Sequence, residues 1–416
     1  MGKKSFWVKL CLVNLAIVAL LGLLLRSKIL FSIPQLNYRY VLSAHSHFAF
    51  GGWVALVLIT LLVYDVLPSP YKEKRSYQLA LWGIFITSIG MAFTFPFMGY
   101  RVFSIIFSSS FILFTFYFSW IFFFDLLKAQ MNKTIKLLGI FAILIMVFSS
   151  LGPLTLAWIL ATGSTNNYLY RDAVYFFLHF QYNGFFTLAV MSLFINSIVD
   201  SAPENVQQGL YWFAVFLCAS IFPSFFLSVL WHPNNEVFLV LAIIGCVLII
   251  ITLYWFFKLL PFFKQKIKDQ SILTVSIIGF ACTAFILKMF FQMGTIIPGL
   301  DTAVYANRPL IIGFLHMVFL GLVTFYVLYH LIQNNLLNLR GLFTKISLIV
   351  FGIGIVANVS ILMFQGLGIL LKTTSSIFPL LLWLAAIILF VGASMIVIAA
   401  LKSKKQLTQI NICKKN

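Results

Sequence analysis

Of 416 residues, 62% are hydrophobic and 9% are charged, whereas a soluble domain carries roughly 25% charged residues. The formal net charge is +19, from 28 Lys+Arg against 9 Asp+Glu. So much apolar surface, 47 phenylalanines included, cannot be hidden in a soluble chain of this size, which excludes a soluble enzyme and a disordered chain. No basic helix or aromatic-basic module is present, so the charge does not indicate nucleic acid. The remaining class is an all-α, polytopic membrane protein whose partner is the lipid bilayer.

A membrane span needs about 20 mostly apolar residues, and twelve such runs occur, at about 7–32, 41–66, 77–98, 102–127, 136–161, 173–198, 208–231, 237–261, 271–297, 309–332, 343–371 and 376–401. Short loops separate them, marked by Pro68-Ser69-Pro70, Gly163-Ser164-Thr165-Asn166-Asn167 and Pro233-Asn234-Asn235. With the N-terminus in the cytoplasm, 20 of the 28 basic residues fall on the cytoplasmic side and 7 on the outer side. Lys288 alone lies inside a span and away from its ends. The alternation predicts one transmembrane domain over 1–416, both ends cytoplasmic, in the inner (plasma) membrane.

The first run follows Lys3-Lys4 and resembles a signal peptide, but no small-residue cleavage site follows, so a retained first helix is expected. The second run opens from the outside with His45 and His47, then Gly51-Gly52. Residues two apart on a helix point about 200° apart, so these two imidazoles serve different sides. The glycines allow close approach of either a flat cofactor or another helix.

The sixth run carries His179 and Asn183, four apart on one helix face. They form either a polar site or a His–Asn hydrogen bond between helices. His232 follows the seventh run in Leu230-Trp231-His232-Pro233. The ninth contains Lys288, read either as part of a proton path or buried ion pair, or as a snorkelling residue. The tenth carries His316 near its outer end and His330 near its inner end.

Five of the six histidines thus fall in the outer third, and imidazole is the commonest metal ligand. The bland alternative is a set of interfacial histidines satisfied by water or backbone. Arg39, Arg101, Arg171 and Arg308 stand at outer helix ends, where they either pair with carboxylates or snorkel. Five cysteines include no C-x-x-C pair, so neither a disulfide framework nor c-type haem attachment is expected.

Twelve spans with both ends inside, and histidines on spans two, six, seven-to-eight and ten, resemble the catalytic subunit of haem-copper oxidases and nitric oxide reductases. The resemblance implies that His45 (or His47) and His316 hold a low-spin haem b, with the four arginines toward its propionates. His179 resembles the histidine that binds copper or non-haem iron, with His232 as a second ligand. Asn183 lies where oxidases have Tyr and nitric oxide reductases have Glu.

The chain departs from that family at two places. Only His232 stands where the family has two adjacent histidines, and Phe314 stands where it has the ligand of a high-spin haem. The expectation is one haem and at most one further metal, electron transfer or redox sensing rather than rapid oxygen or NO reduction, and a redox partner or small membrane subunit. A haem-free secondary transporter and a His-lined metal or small-molecule sensor are the rival readings.

Overall fold

A computed structural model describes residues 2–232 and 236–413, so Pro233-Asn234-Asn235, Lys414 and Lys415 lie outside the described residues. Every regular element among the described residues is helical. Among the described residues, twelve helices are long and apolar enough to cross a membrane: Gly2–Leu30, Tyr38–Val66, Arg75–Met98, Val102–Lys128, Lys133–Thr162, Asn167–Asn196, Glu204–Ser228, Glu236–Ile267, Ile272–Gly294, Arg308–Gln333, Leu342–Leu370 and Phe378–Lys402. The expected all-α bundle of twelve spans is what the chain forms, and the bilayer is its environment.

Several ends move from their expected places for local reasons. The sixth span starts six residues before 173, because the Asn166 side chain accepts from the Leu169 backbone N–H and caps the helix there. The eighth continues through Pro261 to Ile267. The ninth stops at Gly294, and a short helix, Leu300–Tyr305, leads into the tenth. Asn307 caps that tenth helix by accepting from Leu310 N–H.

Burial separates centre from rim. In the second and sixth spans 83% and 89% of the most apolar window is buried, against 22% in the fourth. Spans two, six and ten meet in the middle, and the first span packs on the second and the twelfth. Those three central spans share a further feature. Each leaves the α-helical register immediately after a histidine: Phe48–Ala55 follows His47, Phe180–Phe186 follows His179, and Met317–Thr324 follows His316, all as π-helix. A π-turn holds an extra residue and rotates the side chains beyond it, and such turns cluster at functional sites.

The wide turns are supported by side chains. Thr187 and Thr324 donate to the carbonyls of Tyr182 and Phe319, five residues back, at 2.6 and 2.7 Å. Trp53 Nε1 donates to Thr324 Oγ1 at 3.2 Å, tying span two to span ten. Gly51 and Gly52 serve packing. Phe111 and Ser88 press on Gly51, the Phe48 ring covers Gly52, and Asn14 of the first span donates to the Gly52 carbonyl at 2.6 Å.

Candidate functional site

His45 and His316 face each other between the second and tenth spans. Their ring centroids are 6.4 Å apart and their planes lie 16° from parallel. His45 Nδ1 donates to the Val18 carbonyl of the first span at 3.1 Å. His316 Nδ1 donates to the Ile312 carbonyl, one turn earlier on its own helix, at 2.7 Å. A carbonyl can only accept, so in both rings the proton sits on Nδ1 and Nε2 keeps its lone pair. Both rings remain only half-buried although they lie between central helices. Gly22 packs against His45: a Cβ there would stand 3.3 Å from the ring's Cε1, a tight contact.

His47 points elsewhere, as helical geometry requires. Its ring lies 4.5 Å from that of Phe95, its Nδ1 donates to the Ser43 carbonyl at 2.9 Å, and its Nε2 accepts from the Tyr100 hydroxyl at 3.3 Å. Both nitrogens of His47 are therefore engaged, whereas Nε2 of His45 has no hydrogen-bond partner among the described residues.

His179 is fully buried and also fully engaged. Nε2–H donates to the Ile221 carbonyl at 2.8 Å, and Nδ1 accepts from Asn183 Nδ2 at 3.0 Å. Ile221 lies at the end of an α-helical stretch, where carbonyls lose their helical partners. His232 Nε2 donates to Asp172 at 2.9 Å and stacks on Trp231, over which Arg171 also lies, 4.7 Å from the ring. No group of three His, Cys, Asp or Glu able to hold a metal occurs among the described residues. His179 and His232 each have other work, and they do not fit the copper or non-haem iron site that the resemblance implied.

The four arginines expected at propionates sit at exposed outer helix ends: Arg39 in the first turn of span two, Arg101 capping span four, Arg171 on Trp231, and Arg308 opening span ten. The arginine whose charge reaches both facing histidines is Arg26, half-buried near the outer end of the first span, and no carboxylate pairs with it among the described residues. Its sequence signal was an arginine inside the outer end of an apolar helix. Lys288 is 1% exposed, lies near His179, and has the Phe285 ring at 6.0 Å as its aromatic neighbour.

The sixth histidine belongs to a cluster at the inner end. His330 donates to Asp65 at 2.7 Å, and Lys4 reaches the other oxygen of that carboxylate at 2.5 Å. Asn196 donates to the Asp65 carbonyl, and Asn334 to the His330 carbonyl. The inner ends of spans one, two and ten are thus tied at the Asp65 carboxylate, and span six is tied to the Asp65 backbone carbonyl. No protein-family model and no curated protein matches the chain.

Proposed function

We propose that the chain binds a low-spin haem b between His45 and His316, near the outer face, and works in electron transfer or redox sensing as a divergent relative of haem-copper oxidase subunit I. One observation carries the reading: two imidazoles, 6.4 Å apart and nearly parallel, each anchored through Nδ1. Two imidazoles on opposite sides of one metal, with bonds of about 2 Å and ring centres about 1.2 Å behind each nitrogen, have centroids about 6 Å apart. Donation of Nδ1–H to a carbonyl is also the usual way a protein fixes the tautomer and direction of a ligating ring.

The spacing and anchoring of the two imidazoles therefore support a six-coordinate iron held between them, as in a haem. When bound, such a group supplies one-electron redox chemistry. The chain's part is to hold and orient it. His45 and His316 would hold it through imidazole nitrogen, and Arg26, which has no carboxylate partner among the described residues, would pair with a carboxylate of the group. Spans two and ten cannot drift apart at this depth, since Trp53 and Thr324 are bonded a little further in.

The test is a reduced-minus-oxidised spectrum of the purified full chain. Sharp visible bands of a six-coordinate haem b are the expected result. A colourless preparation from haem-replete cells would overturn the reading in favour of a haem-free transporter.

A further inference from the structure

On the other face of the tenth span, toward spans six, seven, nine and eleven, lies a cavity of about 320 Å³. Phe314 and Leu315 line it, while His316 turns away toward His45. Tyr305, from the short helix before the span, closes part of its outer end and meets Tyr175 edge-on at 5.0 Å. Its volume lies in the range of small-molecule sites, roughly 300–1,000 Å³, which are mostly apolar with a few placed polar groups.

The lining defines the ligand's chemistry. Among the described residues no lysine, arginine, aspartate or glutamate borders the cavity, so its described wall disfavours a phosphate headgroup, a free carboxylate or a haem propionate. Aromatic rings of Tyr175, Tyr182, Tyr305, Phe314, Phe290 and Phe291 suit a flat ring. Three polar groups at the wall are more than nine-tenths buried: Tyr182, Ser228 and Gln292. The Tyr182 and Ser228 hydroxyls lie together. Each of these hydroxyls has an O–H that can donate, and Gln292, with one amide hydrogen toward the Ser224 carbonyl, has a second to offer. Those donors call for a ligand oxygen that accepts.

The mouth faces lipid. Phe290, Phe291 and Leu367 line the cavity and are 51%, 45% and 46% exposed on the outside of the bundle. A ligand that enters there comes from the bilayer and can leave a hydrocarbon tail in it.

We propose that this cavity binds the ring of a lipid-soluble quinone, with one ring carbonyl accepting from the Tyr182–Ser228 pair or from Gln292 and the tail leaving past Phe290 and Leu367. Binding there needs no haem, so the proposal and the His45–His316 reading fail separately.

The structure supplies a clean blocking substitution. Gly294 lines the cavity, and a Cβ on it would meet nothing within 4 Å. Gly294→Phe starts its side chain in open space at the cavity wall and serves as the blocking variant. Gly279→Phe, in the same span at an exposed position equally free of neighbours, is the control.

The experiment titrates the purified full chain with decylubiquinone and maps covalent labelling by an azido analogue. Saturable binding with label within 290–295 or 304–315 is expected. Affinity should drop about tenfold or more in Gly294→Phe and stay unchanged in Gly279→Phe. Should Gly294→Phe lose its monodisperse elution, the double variant Ser228→Ala, Gln292→Leu carries the test, with an expected loss of about three- to tenfold or more. No saturable binding, unchanged affinity in the blocking variants, or displacement of the label by a sterol but not by a quinone would overturn the proposal.

Discussion

The imidazoles of His45 and His47, two residues apart, differ in one atom's engagement: Nε2 of His47 accepts from Tyr100, while Nε2 of His45 has no hydrogen-bond partner among the described residues and its ring lies 6.4 Å from that of His316. Sequence spacing says only that one of the two could ligate. On the proposed reading, the hydrogen bonds favour His45 over His47. His45→Ala and His316→Ala should each abolish the low-spin haem spectrum, and His47→Ala should keep it. Loss of the spectrum in His47→Ala with His45→Ala unaffected would reverse the assignment.

Metal content follows from His179. With Nε2–H given to Ile221 and Nδ1 taken by Asn183, neither nitrogen is open to a cation without breaking a buried hydrogen bond. Elemental analysis of the purified protein should return iron at about one per chain, tracking the haem, and no stoichiometric copper. His179→Ala should leave that iron content unchanged. Stoichiometric copper lost on His179→Ala would show that the ring turns to bind metal.

At the inner end, Asp65 accepts from both His330 and Lys4. Removing its charge leaves a half-buried lysine without its counter-ion, and losing one member of such a pair costs about 3 kcal/mol when buried, less at this partly exposed site. Asp65→Asn should lower thermal stability in detergent by several degrees while the haem spectrum, at the other end of the bundle, stays intact. An unchanged melting temperature would mean that the helix ends are held without this carboxylate.

Spans eleven and twelve meet through glycines. A Cβ on Gly392 would stand 2.6–2.8 Å from backbone atoms and Cβ of Phe351, and one on Gly354 would stand 3.0 Å from the Leu389 backbone nitrogen. Backbone cannot yield as a side-chain tip can, so Gly392→Val should cost about 1–3 kcal/mol by overpacking. Gly279→Val, which meets nothing, is the comparison. Equal melting temperatures for the two variants would contradict this interface.

Lys288 is buried at 1% exposure with no carboxylate partner among the described residues. Replacing a buried, unpaired cation with an apolar side chain of similar length removes a desolvation cost. Lys288→Met should therefore be at least as stable as the parent by thermal unfolding. A clear loss of stability would show that the ammonium has a partner that matters to the fold.

Much of the architecture was legible in the sequence because the bilayer imposes it. Every backbone group in lipid must bond internally, so apolar runs of span length become helices. The 20-to-7 split of basic residues sets their alternation. The divergence of His45 and His47 was legible too, since the helical repeat alone sends their rings to different sides. Tertiary structure decided the rest. That His45 meets His316, that His179 is consumed by Ile221 and Asn183, and that Arg26 rather than Arg39, Arg101, Arg171 or Arg308 stands by the paired rings depends on which helix neighbours which. The π-turns that follow His47, His179 and His316 were equally invisible, although glycines at 51, 52, 184 and 321 fall inside them. The one-residue shift that widens a helix is stabilised by contacts such as Trp53 to Thr324, between residues far apart in the chain, and no local pattern contains that information.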